Sequence, residues 1–83
     1  MSVKSLREPL DSNNYKKIRL KLIDLRKETY LTQRGLAKKL KVNQSYVSKV
    51  ELGQRRLDVL ELKKYLKELN YSIGQFILEI DIA

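Results

Sequence analysis

Between Thr32 and Gly53 two apolar stripes follow one another so closely that few local structures can accommodate both. Leu36, Ala37 and Leu40 recur at helical spacing, and after a brief interruption Val47 and Val50 do the same. Each stripe belongs to a helix of about two turns, far below the roughly 12 to 15 residues at which an isolated helix becomes even marginally stable in water. The pair must therefore hold each other. Thr32 and Asn43 are suited to cap the two helices, the first ending near Lys41, and Gly53 is suited to stop the second. Ala37 stands where the first helix must come close to the second, and Leu36, Leu40, Val42, Val47 and Val50 supply the contacts that lock them.

The flanks extend the same pattern. Asp11, Ser12, Asn13 and Asn14 are helix-capping types, and Tyr15, Ile18, Leu22 and Leu25 then follow at helical spacing, so a first helix is predicted from about residue 14 to Glu28, with a break at Thr29, Tyr30 and Leu31. After a loop at Gln54 to Arg56, Val59, Leu62, Leu66 and Leu69 predict a helix from about Asp58 to Leu69, with Asn70 as its C′ residue. The tail from Ser72 reads two ways. Ile73, Phe76, Ile77 and Ile80 suit a helix, Phe76, Leu78, Ile80 and Ile82 a strand, and the helix is the preferred reading.

The expected fold is all-α, a compact bundle of about five short helices. Residues 1–13, with Pro9 the only proline, form a polar arm, and residues 14–83 a single domain with an apolar tail. That tail offers more apolar surface than so small a domain easily buries. Leu69, Ile73, Phe76, Ile77 and Ile80 are accordingly expected to form a homodimer interface, with ordinary core packing as the alternative.

Composition removes several functions. The 83 residues contain no cysteine and no histidine, which excludes disulfides, thiolate zinc sites and thiol nucleophiles and leaves no imidazole for acid–base work or metal ligation. There is no glycine-rich phosphate loop, and the carboxylates are scattered, so no enzyme, metal or cofactor is expected. No apolar run approaches the length of a membrane span or a signal peptide, and the expectation is a soluble, cytoplasmic protein with no membrane partner. The net charge of +8 is unevenly spread. From Tyr15 to Arg56 there are 13 basic residues against 3 acidic ones, and from Leu57 onward 3 basic against 5 acidic. A polyanion facing the first two thirds of the chain would account for this; so would an ordinary lysine-rich surface. Lys4 and Arg7 could extend the basic region as an arm around a duplex, or form a simple basic tail.

Two short helices joined by a tight turn, the second presenting amide and hydroxyl groups, have a physical reading on DNA. The major groove admits one helix, and Gln, Asn, Ser, Lys and Arg can read base edges there. The strings LTQRGLAKKL, VNQSYVSKVELGQRRLDVLEL and LKELNYSIGQFI resemble the Cro and lambda repressor type of helix-turn-helix, also called the xenobiotic response element family, across Ile18 to Phe76. The resemblance implies a recognition helix at about residues 44–51. Gln44, Ser45 and Lys49 match positions that face base edges, and Tyr46 lies beside them, able to touch a thymine methyl or a sugar or to remain a plain surface aromatic. Gln33 matches a glutamine that contacts phosphate and steadies the first residue of the recognition helix, here Gln44. Asn43 and Ser48 are assigned to capping or phosphate binding, and Arg55 and Arg56 to the DNA backbone. Arg26 and Glu51 match a salt-bridged pair between the first helix and the end of the third.

Two positions depart from the family pattern. Lys41 stands where glycine is usual in the turn, and Gly35 occupies the second helix where a better helix former is common. The function implied is a sequence-specific, double-stranded-DNA-binding transcriptional regulator, a homodimeric repressor reading two half-sites. A second reading is an antitoxin that binds a protein toxin and regulates its own operon.

Overall fold

The computed structural model describes residues 8–80. Five helices follow in order: α1 (Asn13–Glu28), α2 (Gln33–Leu40), α3 (Gln44–Glu51), α4 (Val59–Glu68) and α5 (Ile73–Glu79), with no strand among the described residues. The tail is therefore helical through Glu79. Lys4, Arg7 and Ile82 lie outside the described residues.

Four helices begin with a side chain that accepts a hydrogen bond from the first turn. Ser12 Oγ accepts from Tyr15 N, Thr32 Oγ1 from Gly35 N and Ser72 Oγ from Gln75 N, while Asp58 and Glu61 form a reciprocal capping box at α4. Asn43 occupies the N-cap of α3 in extended conformation but makes no side-chain cap bond. A methyl group at Gly35 would come within 3.2 Å of Thr32 Oγ1, so the glycine leaves room for the cap of its own helix.

The first four helices also end alike, whereas α5 runs out into the extended Ile80. Tyr30, Lys41, Gly53 and Asn70 each take a left-handed conformation, and the following N–H reaches back to a carbonyl of the last turn: Leu31 to Arg26, Val42 to Ala37, Gln54 to Lys49 and Tyr71 to Leu66. Lys41 thus adopts, at φ 60°, the conformation that glycine would take without a Cβ penalty. At Gly53 the Arg19 side chain lies against the backbone, and an added Cβ would come within 3.1 Å of its Nε.

Every helix contributes to one core: Leu22 and Leu25 from α1, Leu36 and Ala37 from α2, Val47 and Val50 from α3, Tyr65 and Leu66 from α4, Leu69 just after it, and Phe76 from α5. The expected dimer face requires a correction here. Leu69 is 2% exposed and Phe76 0%, so both seal the core of their own chain; their spacing places them on the inward face of the last turns. Ile73 and Ile80 are half-buried against that core. Of the five residues assigned to the interface, only Ile77 lies open, at 55%, and the other exposed large aliphatics of α4 and α5 are Val59, Leu60 and Leu78.

Candidate nucleic-acid interface

α3 is held from beneath by Val47 and Val50, both buried, and this leaves the opposite side of the helix free. Gln44, Ser45 and Lys49 are exposed on it, Asn43 is exposed at its cap, and Ser48 and Tyr46 are half-exposed. Val42, Asn43, Ser45, Tyr46, Lys49 and Arg55 border one open recess. Gln44 borders a second, on the α2 side, together with Arg26, Thr32, Gln33 and Arg34. The side chains assigned to base reading are thus brought together along one face.

The orientation of α3 is set at its far end. Glu51 is 6% exposed and takes Arg26 in a two-point contact, Nε to Oε2 at 2.6 Å and Nη2 to Oε1 at 3.0 Å. Arg26 Nη1 also donates to the Leu31 carbonyl at 2.8 Å, which ties the α1–α2 turn into the same knot. Planar guanidinium–carboxylate pairing of this kind fixes both distance and angle. Gln33 Nε2 donates to Glu51 Oε1 at 2.9 Å, and Arg19 Nη1 to the Glu51 carbonyl at 3.2 Å. The Gln33 amide therefore steadies the end of α3 through Glu51, and is not bonded to Gln44 at its start. Close by, the Tyr65 hydroxyl is buried with no hydrogen-bond partner among the described residues, and burial, then the charge of Glu51, pushes its phenol above the ordinary range.

Tyr46, Arg55 and Arg56 are engaged within the protein. Tyr46 Oη donates to Glu61 Oε2 at 2.9 Å, Arg55 Nη2 donates to the same oxygen at 2.6 Å, and the Arg55 guanidinium lies 4.4 Å from the Tyr46 ring centre. Glu61 is held below the usual carboxylate range by the Asp58 backbone N–H first, then by Tyr46 and Arg55. Arg56 stacks over Tyr15 at 5.0 Å and donates to the Glu8 carbonyl, while the Tyr15 hydroxyl accepts the Leu57 N–H at 2.9 Å. Glu61 and Arg19 are the site residues that sequence reasoning missed. Glu61 had a legible signal, since an acidic residue three places after Asp58 is the mark of a capping box; nothing local points to Arg19.

No helix among the described residues is long and apolar enough to cross a membrane, and no cluster of potential metal ligands occurs among them. Comparison by sequence with curated proteins finds no match. A family model for the helix-turn-helix matches residues 22–76. Among solved structures, the chain is similar to the restriction-modification controller protein C.Esp1396I, seen as a tetramer in complex with its natural 35 base-pair operator: 27% identity over 84% of this chain and 92% of that one, with a TM-score of 0.76. The clp gene regulator ClgR of Corynebacterium glutamicum shares the fold at 22% identity, covering 92% of this chain and 94% of the other, with a TM-score of 0.73. The matched segment contains α2, α3, α4 and the Arg26–Glu51 clamp, with the second half of α1 and the start of α5. The chain belongs to the helix-turn-helix family, in its Cro and lambda repressor-like form.

Proposed function

We propose that this protein is a transcriptional regulator that reads double-stranded DNA by placing α3 in the major groove, and that it represses as a homodimer. The observation that carries the reading is the division of α3 into a face anchored by Val47 and Val50 and an open face bearing Gln44, Ser45 and Lys49, set in the basic part of the chain. Gln44 is suited to a bidentate contact with adenine, worth about 1 to 3 kcal/mol of discrimination against a wrong base. Asn43 and Ser48 serve phosphates and Arg56 the backbone beyond the recognition helix, while Arg55 is held by Glu61. Gln33, through Glu51, keeps α3 at its working angle. The similarity to a controller protein bound to its operator supports the same mode here. For the dimer, the exposed Ile77 and Leu78 of α5 and Val59 and Leu60 of α4 are the apolar surface that the last two helices offer, with Ile73 and Ile80 half-buried beside it in sequence. No observation favours the toxin-binding alternative.

The test is titration of the protein into a duplex covering the DNA upstream of its own gene, beside a shuffled duplex, at several salt concentrations. Specific binding should exceed non-specific binding by at least about a thousandfold, and Gln44→Ala should remove the preference. Equal binding to both duplexes, or tight specific binding by a protein that stays monomeric at micromolar concentration, would overturn the reading or its dimeric part, respectively.

A further inference from the structure

Glu61 stands on α4, outside the helix-turn-helix pair, yet it holds two of the side chains that border the α3 face. One carboxylate oxygen, Oε1, accepts the Asp58 N–H at 3.1 Å and completes the α4 cap. The other, Oε2, accepts both Tyr46 Oη and Arg55 Nη2. The capping box leaves little freedom to the carboxylate, so the oxygen that takes Tyr46 and Arg55 is held in place. Arg55 is drawn in far enough that its Nε is buried without a hydrogen-bond partner, while its ring neighbour Tyr46 covers one face of the guanidinium. An arginine in water or on a phosphate would satisfy that N–H; here the ion pair and the ring contact hold the Nε side inward, while 41% of the side chain remains exposed.

We propose that Glu61 is a positioning residue that restrains non-specific DNA binding, by withholding Arg55 from the phosphate backbone and holding Tyr46 in one orientation at the edge of the recognition face. The inference rests on the DNA-binding reading above and adds a determinant of specificity to it. A phosphate contact strengthens binding to every duplex alike, whereas base contacts distinguish them. A carboxylate that competes with phosphate for Arg55 therefore lowers affinity for arbitrary DNA, and the loss on the operator is offset by an ordered Tyr46 beside Gln44, Ser45 and Lys49.

The experiment compares wild type, Glu61→Gln and Asp58→Asn on the shuffled duplex and on the upstream duplex, with dissociation constants measured from about 50 mM salt upward and folding checked by circular dichroism. Glu61→Gln removes the charge that holds Arg55 while keeping an acceptor for the α4 cap. Asp58→Asn removes one negative charge from the same helix start but releases no arginine, and asparagine still caps. With Arg55 free to take one more phosphate, Glu61→Gln should bind the shuffled duplex about three- to tenfold more tightly at the lowest salt, and its log–log salt dependence should steepen by about 0.9. The ratio of specific to non-specific affinity should fall, and the Asp58→Asn slope should match wild type. An unchanged slope in Glu61→Gln, or the same steepening in Asp58→Asn, would overturn the proposal, the latter by assigning the effect to overall charge. Because the slope is read on shuffled DNA, a wild-type protein that shows no operator preference would refute the regulator reading while leaving the effect of Glu61 measurable.

Discussion

Replacing Arg26 with methionine isolates the element that sets the angle of α3. Methionine keeps most of the aliphatic stem and its packing but removes the two bonds to Glu51 and the one to the Leu31 carbonyl. The Glu51 side chain, 6% exposed beside an Arg26 that is 12% exposed, would then keep Gln33 as its only described hydrogen-bond partner. Removing one partner of a buried ion pair costs about 3 to 5 kcal/mol, chiefly because the other charge is left in a poorly solvated place. Residual exposure of the pair puts the cost here near the lower figure, about 3 kcal/mol. At roughly 0.05 to 0.15 kcal/mol per residue, a domain of this size has about 4 to 12 kcal/mol in total. At about 4 to 8 °C per kcal/mol the melting temperature should fall by about 12 to 24 °C. Urea and thermal unfolding followed by circular dichroism would measure both. The double variant Arg26→Met, Glu51→Met should be more stable than Arg26→Met alone, because the stranded charge is gone. A single-variant loss below about 1 kcal/mol, or a double variant that loses the sum of the two single effects, would refute the argument that a desolvated charge pair holds these helices.

Three further outcomes follow from individual positions. Lys41→Gly should stabilise by about 0.5 kcal/mol, since the left-handed penalty of about 1 to 2 kcal/mol exceeds the added entropy of glycine, about 0.5 to 1 kcal/mol; a lower urea midpoint would contradict the observed φ of 60°. Tyr65→Phe should raise stability by about 1 kcal/mol, because it deletes a buried hydroxyl with no described partner and fills the same space; a loss of comparable size would reveal a partner that the fold supplies in solution. Glu79 is held down to about 2, first by Lys21, then by the Tyr71 hydroxyl and Gln75, so its folded value lies below its unfolded one. Its contribution is present above the ordinary carboxylate value near 4.3 and is lost as pH falls through about 2. The melting-temperature gap between wild type and Glu79→Gln should therefore be seen at neutral pH and close between about pH 4 and pH 2; a gap that persists unchanged in strong acid would refute the assignment.

The helices were legible because their determinants are local. A cap joins residues two or three apart, an apolar stripe repeats every three or four, and a left-handed stop depends on the last turn alone. Thr32 and Asn70 occupy the cap positions read from the sequence, whereas Asp58, read as the first residue of its helix, is the cap of α4. Asn43 shows the limit of such reading: it stands at the cap of α3, but whether its oxygen reaches the N–H groups depends on a rotamer that the residue type does not specify. The Arg26–Glu51 pairing was accessible only through resemblance, since 25 residues separate the two and no period connects them.

By itself, then, the sequence determined the first four helices, their order, the basic first two thirds and the membership of α2 and α3 in a helix-turn-helix, and left the tail open between helix and strand. Tertiary structure alone decided which apolar residues of α4 and α5 face inward, putting Leu69 and Phe76 in the core and leaving Ile77 and Leu78 outside. It also decided that Gln33 would serve Glu51 and that Glu61 would hold Tyr46 and Arg55. The physical reason is range. Backbone hydrogen bonding and side-chain periodicity act over one turn, but burial and ion pairing depend on which helix packs against which, and that is settled only when all five close on the same core.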